Sequence, residues 1–418
     1  MPWASVVTES LHCSWTGKRC GANFWLMTPP RNARFESLDA WRGIACLLVV
    51  IYHSTNAYAA SDAFLARIHE EGGSFADTIL VFTSKLWAGV PIFFVISGYC
   101  IAATADASRS KPRPAVSFLY RRLRRIYPPL WAYLALCVVL SSLIPAAYWY
   151  HPSLSYSGQM FRTEGLSFWN AIGSLTLTEE WRPYLIGPPK VHYSIQLWTL
   201  CYEEQFYFIV GIILLVARQW LFPAIALVTV LVFLNIAKFH SSNGFNLTDY
   251  QVPADGLFLN GLWLAFAAGV AVYYRANRAT PIVARCLELL LFVLFVWSMQ
   301  GVKEWWRFHS DTTANLVIAF AFALLLCAIQ RFDARIAKWR GLAPFRACGQ
   351  ICYSLYLIHM PITLFGSSLF YRAGLTSSVQ TICIVVPICV SASILAAVLF
   401  HRHIEKRFMN KPSPALAA

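Results

Sequence analysis

The sequence consists of long apolar runs separated by short, mostly charged connections, and this alternation limits what the chain can fold into. Ten runs stand out, most of them without a formal charge: 43–61, 86–105, 126–147, 197–217, 219–238, 256–274, 285–302, 312–330, 347–371 and 377–400. A run of roughly 19 residues crosses a bilayer as a helix, in which the backbone polar groups bond within the segment. With 58% hydrophobic and 13% charged residues, the chain is predicted to be all-α, a polytopic integral membrane helical bundle of ten transmembrane helices.

The runs divide the chain into one membrane domain and two tails. We predict a disordered cytoplasmic tail at 1–33, the transmembrane domain at 34–408 and a cytoplasmic tail at 409–418, with Met27 as an alternative start. If both ends lie on one side, that side carries 25 of the 34 Lys and Arg residues and 7 of the 20 acids. Because cytoplasmic connections are enriched in Lys and Arg, we predict an even number of crossings with both termini cytoplasmic.

The charge and the cysteines exclude two other classes of protein. A net charge of +14 would suggest nucleic acid in a soluble protein. Here the basic residues are divided among many membrane-flanking connections instead of sharing one solvated face, which argues against a nucleic-acid partner. Most of the 12 cysteines fall within apolar runs, and no CxxC pair occurs. We therefore predict neither a metal site nor a redox function.

The first run carries two ionisable residues, Arg42 at its entrance and His53 deep inside. On a helix they lie within roughly 20° of one face and are separated by roughly 16 Å along the axis. Arg42 alone is typical of a positive flank, and His53 alone could be a core histidine bonded to a neighbouring helix. Because ionisable groups within a membrane are costly, their shared face favours a functional interpretation of the pair.

A second basic group, Arg121, Arg122, Arg124 and Arg125, lies between the second and third runs. One interpretation is a membrane flank that binds anionic lipid. The other is a phosphate site, because guanidinium groups bind phosphate oxygens in pairs. Arg121, Arg122 and Arg125 can cluster on adjacent helical positions.

Polar residues also interrupt later runs. In the fourth run, Glu203 and Tyr207 share a helix face at i and i+4, and Glu204 points elsewhere. Glu203 could orient a histidine, bind a substrate hydroxyl or lie at the membrane interface. His359 lies near the middle of the ninth run and could equally bond a neighbouring helix.

The long connection 148–196 is rich in Trp and Tyr, which suit sugar rings and membrane interfaces, and we predict an ordered extracytoplasmic cap there.

Five stretches carry a family resemblance. In chain order they read SLDAWRGIACLLVVIYH, GVPIFFVISGYCI, FLYRRLRRIYP, WTLCYEEQFYF and YSLYLIHMPI. Over about 34–408 the chain resembles the acyltransferase-3 family of membrane O-acyltransferases, which includes bacterial acetylases of O-antigen, exopolysaccharide and other glycans. One departure is the segment 199–202, Thr-Leu-Cys-Tyr, where many members read Ser-Leu-Ser-Val. The bulky Tyr202 could alter the acceptor pocket.

The resemblance implies an enzyme of the bacterial inner membrane that transfers an acyl group, in most members acetyl, from acetyl-CoA to a glycan or lipid-linked glycan hydroxyl. His53 is similar to the family's essential histidine, and we predict that it acts as general base or acyl carrier. Glu203 is similar to the family's recurring glutamate and is predicted to be catalytic as well, orienting or stabilising the His53 imidazolium. The resemblance also assigns the donor site. Arg121, Arg122 and Arg125 would bind the donor, and Arg42 is the partner of His53 in the first run. We also predict that Arg42 contacts the donor and that Tyr207 and His359 contact the substrate.

The alternative is a transporter or a flippase of a lipid-linked glycan, in which Arg42, His53, Glu203 and His359 form a pathway. No internal inverted repeat, a common mark of transporters, is evident in the sequence. A receptor or scaffold would leave the intramembrane His and Glu without a role. The sequence leaves the oligomeric state open.

Overall fold

A computed structural model describes residues 35–59, 64, 67, 68, 70, 72–152, 154, 160–162, 165–243, 256–259, 261–301 and 312–409. These residues form helices and connecting turns, with no β-strand among them. The α-helices of six or more residues are α1 Leu38–Ala59, α2 Phe75–Thr83, α3 Gly89–Ser108, α4 Pro114–Leu143, α5 Phe168–Leu175, α6 Trp198–Val216, α7 Leu221–Asn243, α8 Leu262–Asn277, α9 Pro281–Gln300, α10 Thr312–Ile329, α11 Asp333–Lys338, α12 Ala343–Gln350, α13 Cys352–Arg372 and α14 Val386–His403. Two short helical segments, Ser378–Gln380 and Thr381–Val385, lead directly into α14. The predicted tails, 1–33 and nearly all of 409–418, lie outside the described residues.

Each predicted apolar run coincides with one long helix, namely α1, α3, α4, α6, α7, α8, α9, α10, α13 or α14. Within the described residues, seven helices are long and apolar enough to cross a membrane by themselves. An eighth span is formed if Arg340–Gln350 and Cys352–Arg372, which meet at a bend of 75°, are counted together. The all-α membrane bundle is therefore confirmed, and the count of ten crossings stays a prediction.

The periphery of the bundle is apolar, as a lipid environment requires. In α9 only Leu291 and Ser298 are buried. Its outward side chains are largely aliphatic or aromatic, and Ile282 and Leu289 are 76% and 63% exposed. Such a helix would not be stable on the surface of a soluble domain, because its exposed apolar area would face water.

The centre of the bundle depends on close backbone contact between α3 and α8. A Cβ built on Gly98 would lie 2.0 Å from the carbonyl oxygen of Phe266, and one built on Gly269 would lie 1.9 Å from that of Val95. The two glycines thus face each other's helix, as small residues do in membrane helix pairs. This close approach fixes α3 at the centre of the bundle.

The start of α1 is held by a residue almost 300 positions later. The carboxylate of Asp333, at the start of α11, accepts hydrogen bonds from the backbone N–H groups of Glu36 (2.5 Å) and Ser37 (3.3 Å) and from the Ser37 hydroxyl. Asp333 and Ser37 are both buried. The N-terminal N–H groups of a helix have no partner within the helix, so Asp333 caps α1 from outside and fixes the turn that precedes Arg42.

The described part of the connection between α4 and α6 packs against the bundle. The Ser368 hydroxyl on α13 donates to the Tyr150 carbonyl over 2.6 Å, and Arg372 donates to Ala147 over 2.6 Å. Aromatic rings fill the space beneath, and Trp149 lies 5.7 Å from Phe365 between ring centroids. This arrangement agrees with an ordered cap.

Candidate functional site

A cavity of about 140 Å³ lies where α1, α3, α4, α6 and α13 meet. Arg42, Arg122 and Arg125 contribute guanidinium groups to it, and Glu203 and Tyr207 enter from α6. The other lining residues are mainly apolar or aromatic: Val49, Val90, Phe93, Phe94, Ile96, Ser97, Cys100, Ile126, Thr199, Leu200, Cys352, Tyr353 and Tyr356. A cavity of this composition suits a ligand with an anionic head and a largely uncharged arm.

Arg42 is positioned by its own helix and by α3. Its Nη1 lies 2.9 Å from Oδ1 of Asp39, one turn earlier, and its Nη2 lies 2.8 Å from Sγ of Cys100. The side chain of Asp39 is 42% exposed, so solvent weakens this ion pair. Arg42 therefore keeps much of its positive field within the cavity.

Arg122 and Arg125 enter the cavity from α4. Nη2 of Arg122 donates to the Cys100 carbonyl (3.0 Å) and to Oγ1 of Thr104 (2.6 Å), and its guanidinium lies 5.4 Å from the Tyr207 ring centroid. Within the described part of the chain, neither Arg122 nor Arg125 forms an ion pair with a carboxylate. Two guanidinium groups without a carboxylate partner make this part of the cavity attractive to an anion.

Arg121 does not line the cavity, although the sequence grouped it with Arg122 and Arg125. Its Nη2 donates to the Ser108 hydroxyl over 2.6 Å. Burial and then the charge of Arg121 lower the pKa of Lys111. Arg121 therefore faces the connection between α3 and α4, and the structure brings two of the three grouped arginines to the cavity, together with Arg42.

The shared face of Glu203 and Tyr207 is confirmed. The Tyr207 hydroxyl donates to Oε1 of Glu203 over 2.5 Å, and the Ser97 hydroxyl donates to the same oxygen over 2.6 Å. Glu204 points elsewhere, as predicted, and accepts a hydrogen bond from Tyr127 on α4. Glu203 is thus bonded to two hydroxyl groups and not to His53.

His53 and His359 lie together just beyond the cavity. Their ring centroids are 5.3 Å apart, with 44° between the planes. Neither ring lines the cavity, but Val49 and Tyr356 do, about one helical turn before each histidine. Since Arg42 lies earlier still on α1, the arginines and the histidine pair approach the cavity from opposite directions along the helices.

The ring nitrogens of the two histidines show which atoms are available for chemistry. Nδ1 of His359 lies 3.1 Å from the Leu355 carbonyl oxygen. Because a carbonyl only accepts, this contact places the proton on Nδ1 and leaves Nε2 as an acceptor. Among the described residues, that Nε2 and Nδ1 of His53 are buried without a hydrogen-bond partner. Such atoms are rare in proteins and are often associated with a catalytic role or a bound molecule.

Several residues that line the cavity or support its side chains were not predicted from the sequence. Ser97, Cys100 and Thr104 hold Glu203, Arg42 and Arg122, respectively. Their i, i+3 and i+7 spacing on α3 is a polar stripe within an apolar run, and this signal could have identified them. Tyr356 also lines the cavity, and its hydroxyl lies 2.8 Å from Oγ1 of Thr199.

Comparison with known proteins covers almost the entire described bundle. The family described as an acyltransferase domain matches residues 35–401. The O-acetyltransferase OatA of Staphylococcus aureus strain NCTC 8325 is 24% identical over 404 residues, which are 91% of this chain and 58% of that protein. The peptidoglycan O-acetyltransferase OatA of Listeria monocytogenes is 23% identical, over 78% of this chain and 49% of that protein.

A third relative has a name of a different kind. The regulator of hypoxia-inducible factor 1 from Caenorhabditis elegans is 23% identical, over 90% of this chain and 80% of that protein. No solved structure matches the chain significantly. The chain spans 58% of the Staphylococcus relative and 49% of the Listeria relative, so the similarity covers only part of each. The family match includes all of α1 and ends two residues before the end of α14, and the chain therefore belongs to the acyltransferase-3 family.

Proposed function

We propose that this chain is a membrane O-acyltransferase that moves an acyl group, in the first instance acetyl, from acyl-CoA to a hydroxyl group of a cell-surface glycan. The observation that carries the proposal is the convergence of Arg42, Arg122 and Arg125 on a cavity that ends beside His53 and His359. Family membership and the two relatives named as O-acetyltransferases support the same reaction class. By the charge asymmetry, both termini would be cytoplasmic. The resemblance to bacterial glycan acetylases favours the bacterial inner membrane.

The donor fits the cavity by charge and by shape. Acyl-CoA has phosphates at one end and a thioester at the end of a long, uncharged arm. Arg122 and Arg125 would bind phosphate oxygens, with Arg42 beside them. The apolar walls would hold the arm, and the thioester would reach the histidine pair. Arg121 lies outside the cavity, bonded to Ser108, and is left out of the proposed donor site.

The histidine pair would perform the proton transfers. As a general base, His53 takes the proton of the acceptor hydroxyl while the oxygen attacks the thioester carbonyl. The carbon–sulfur bond then breaks, and the proton passes to the CoA thiolate. Alternatively a ring nitrogen of His53 attacks the thioester carbonyl, and the carbon–sulfur bond breaks to release CoA as a thiolate. The acyl group then passes from His53 to the acceptor oxygen, and the hydroxyl proton ends on the thiolate. In the acyl-carrier route, where His53 does not take this proton, Nε2 of His359 can accept a hydrogen bond from the acceptor hydroxyl and orient it.

Glu203 would act through its hydroxyl partners. It holds the hydroxyls of Ser97 and Tyr207 in the cavity wall, and the Tyr207 ring lies beside the Arg122 guanidinium. Its proposed contribution is therefore to position Tyr207 and Arg122 for the substrates.

Transfer can be measured directly in proteoliposomes. Purified protein would receive radiolabelled acetyl-CoA and, separately, peptidoglycan fragments, lipopolysaccharide or a lipid-linked glycan. We expect label in one glycan fraction and none with His53→Ala at equal accumulation. Glycan that crosses the membrane without becoming acylated would contradict the proposal and favour a flippase.

A further inference from the structure

The short helix α5 lies deep beside α4, although the sequence places it in a water-facing connection. Nε1 of Trp131 donates to the Leu175 carbonyl over 3.0 Å, and the Tyr127 hydroxyl donates to the Thr176 carbonyl over 3.0 Å. Beyond Trp131, α4 continues to Leu143, which is about 18 Å of helix. The C-terminal end of α5 is therefore level with the middle of a membrane-spanning helix.

The polarity of α5 is the reverse of that expected at a water interface. Its buried residues are Asn170, Gly173 and Ser174. Phe168 and Leu175 face outward and are 70% and 40% exposed, with the half-buried Ile172 between them. These three follow i, i+4 and i+7 spacing and form one apolar stripe. A helix with its polar side inward and its apolar side outward is stable in lipid rather than in water.

The polar groups behind α5 have partners within the protein. The carboxylate of Glu179 accepts from Nδ2 of Asn170 (2.8 Å), from Arg182 through Nε (3.1 Å) and Nη2 (2.9 Å), and from the Val191 backbone (2.9 Å). Glu179 and Arg182 are 2% and 3% exposed. Non-helical backbone is tolerated at membrane depth only when such groups are satisfied by the protein, and this segment meets that condition.

The stripe on α5 is continuous with a face of α4 that the spanning role already assigns to lipid. Trp131, Val139 and Leu143 on that face are 50%, 54% and 74% exposed. Since Trp131 itself bonds the end of α5, no water-filled gap needs to separate the two apolar surfaces.

We propose that α5 is a re-entrant helix embedded in the extracytoplasmic half of the bilayer, and that Phe168, Ile172 and Leu175 contact lipid acyl chains. The segment enters the hydrocarbon from the cap and returns through the buried Glu179–Arg182 pair to α6. This inference rests on the membrane bundle and does not depend on the proposed reaction.

Accessibility and crosslinking in native membranes test the inference. Phe168→Cys and Leu175→Cys would be compared with Thr376→Cys, an exposed position in the turn between α13 and α14. A charged, membrane-impermeant maleimide should label residues 168 and 175 at least about tenfold more slowly than residue 376, since a charge enters hydrocarbon at high cost. Labelled peptides would be quantified by mass spectrometry, so that the native cysteines do not interfere.

A photoreactive benzoylphenylalanine at 168 or 175 gives an independent readout. We expect adducts with the mass of membrane lipids at both positions and none at 376. Labelling as fast as at residue 376 would make α5 a water-facing cap, and crosslinks to a second copy of the chain would make it a subunit interface. Either result would overturn the proposal, and neither measurement requires acyl transfer.

Discussion

His359 and His403 make the same backbone contact in different surroundings. In each, Nδ1 lies near the carbonyl oxygen four residues earlier, at 3.1 Å from Leu355 and 2.8 Å from Leu399. His359 is fully buried beside His53, whereas His403 is exposed. At the residue scale, the two histidines therefore differ in their surroundings at Nε2, which in His359 is buried without a hydrogen-bond partner among the described residues.

We expect His359→Asn to separate these two nitrogens. The asparagine amide can still donate to the Leu355 carbonyl, but nothing replaces Nε2. If Nε2 orients the acceptor hydroxyl, kcat should fall by about 10²-fold or more, while the KM for acyl-CoA and the accumulation in membranes change little. His403→Asn serves as the matched control and should retain normal kinetics. Wild-type turnover by His359→Asn would exclude His359 from the reaction.

The arginines of α4 offer a second matched comparison. Arg122→Ala removes charge-assisted hydrogen bonds to the donor phosphates, each about 1.5–3 kcal/mol, so the KM for acyl-CoA should rise about tenfold or more. Arg122→Lys should recover only part of the loss, because an ammonium keeps the charge and loses the paired donors.

Arg121→Ala is the control for this comparison, since it removes a neighbouring guanidinium that does not line the cavity. Its donor KM should rise much less. Equal increases for Arg121→Ala and Arg122→Ala would contradict the assignment of the cavity as the donor site. If every variant kept a normal KM for acyl-CoA but inserted poorly into the membrane, the arginines of α4 would instead act as a membrane flank that binds anionic lipid.

These residues also show what could be predicted from sequence at this scale. The i, i+4 spacing of Glu203 and Tyr207 fixes their shared face on any helix, so their contact was predictable. Arg121 and Arg122 differ by about 100° around α4, and which one faces the cavity depends on how α4 is rotated against α3 and α6. That rotation follows from interhelical packing, which a single sequence does not contain.

At the scale of elements, apolar length predicted the long helices because a crossing needs a minimum number of apolar residues. The bend of 75° between α12 and α13 and the re-entrant position of α5 were not predicted. The exposed residues Phe168 and Leu175 of α5 resemble a buried face when water is assumed outside. The amphipathic pattern of the helix is the same in both cases. Whether its apolar side faces the protein core or the outside depends on whether the surrounding solvent is water or lipid.

The cap on α1 is the element whose loss should be most easily measured. Asp333→Ala removes the acceptor for the Glu36 and Ser37 backbone N–H groups and for the Ser37 hydroxyl. Buried donors left without a partner cost about 1–3 kcal/mol each, so the protein in detergent should unfold at a clearly lower temperature. Asp333→Asn keeps one acceptor oxygen and should be intermediate. An unchanged melting temperature for Asp333→Ala would show that the start of α1 is held by other contacts.

At the scale of the whole molecule, the distribution of basic residues and the position of the cavity arginines indicate the same side of the membrane. The side with most Lys and Arg is the side from which Arg42, Arg122 and Arg125 are reached along α1 and α4. A donor made in the cytoplasm would therefore enter from the basic side, and the histidine pair would be reached after it. If the acceptor is a cell-surface glycan, as proposed, the acyl group would have to cross the remaining membrane thickness within this bundle.

The number of crossings depends on α1 and α8, which do not pass the length and hydropathy criteria that admit seven or eight spans. With 16 residues, α8 is about 24 Å long, shorter than the hydrocarbon core. It is nevertheless enclosed by protein, since Trp263, Phe266 and Val272 are fully buried, so its length need not match the lipid.

We expect both α1 and α8 to cross the membrane. Reporters fused after residue 113, after residue 279 and after residue 409 should then be cytoplasmic, and reporters at 165 and 250 extracytoplasmic. If the reporters at 250 and 279 lay on one side, α8 would not cross and the ten-span topology would be wrong.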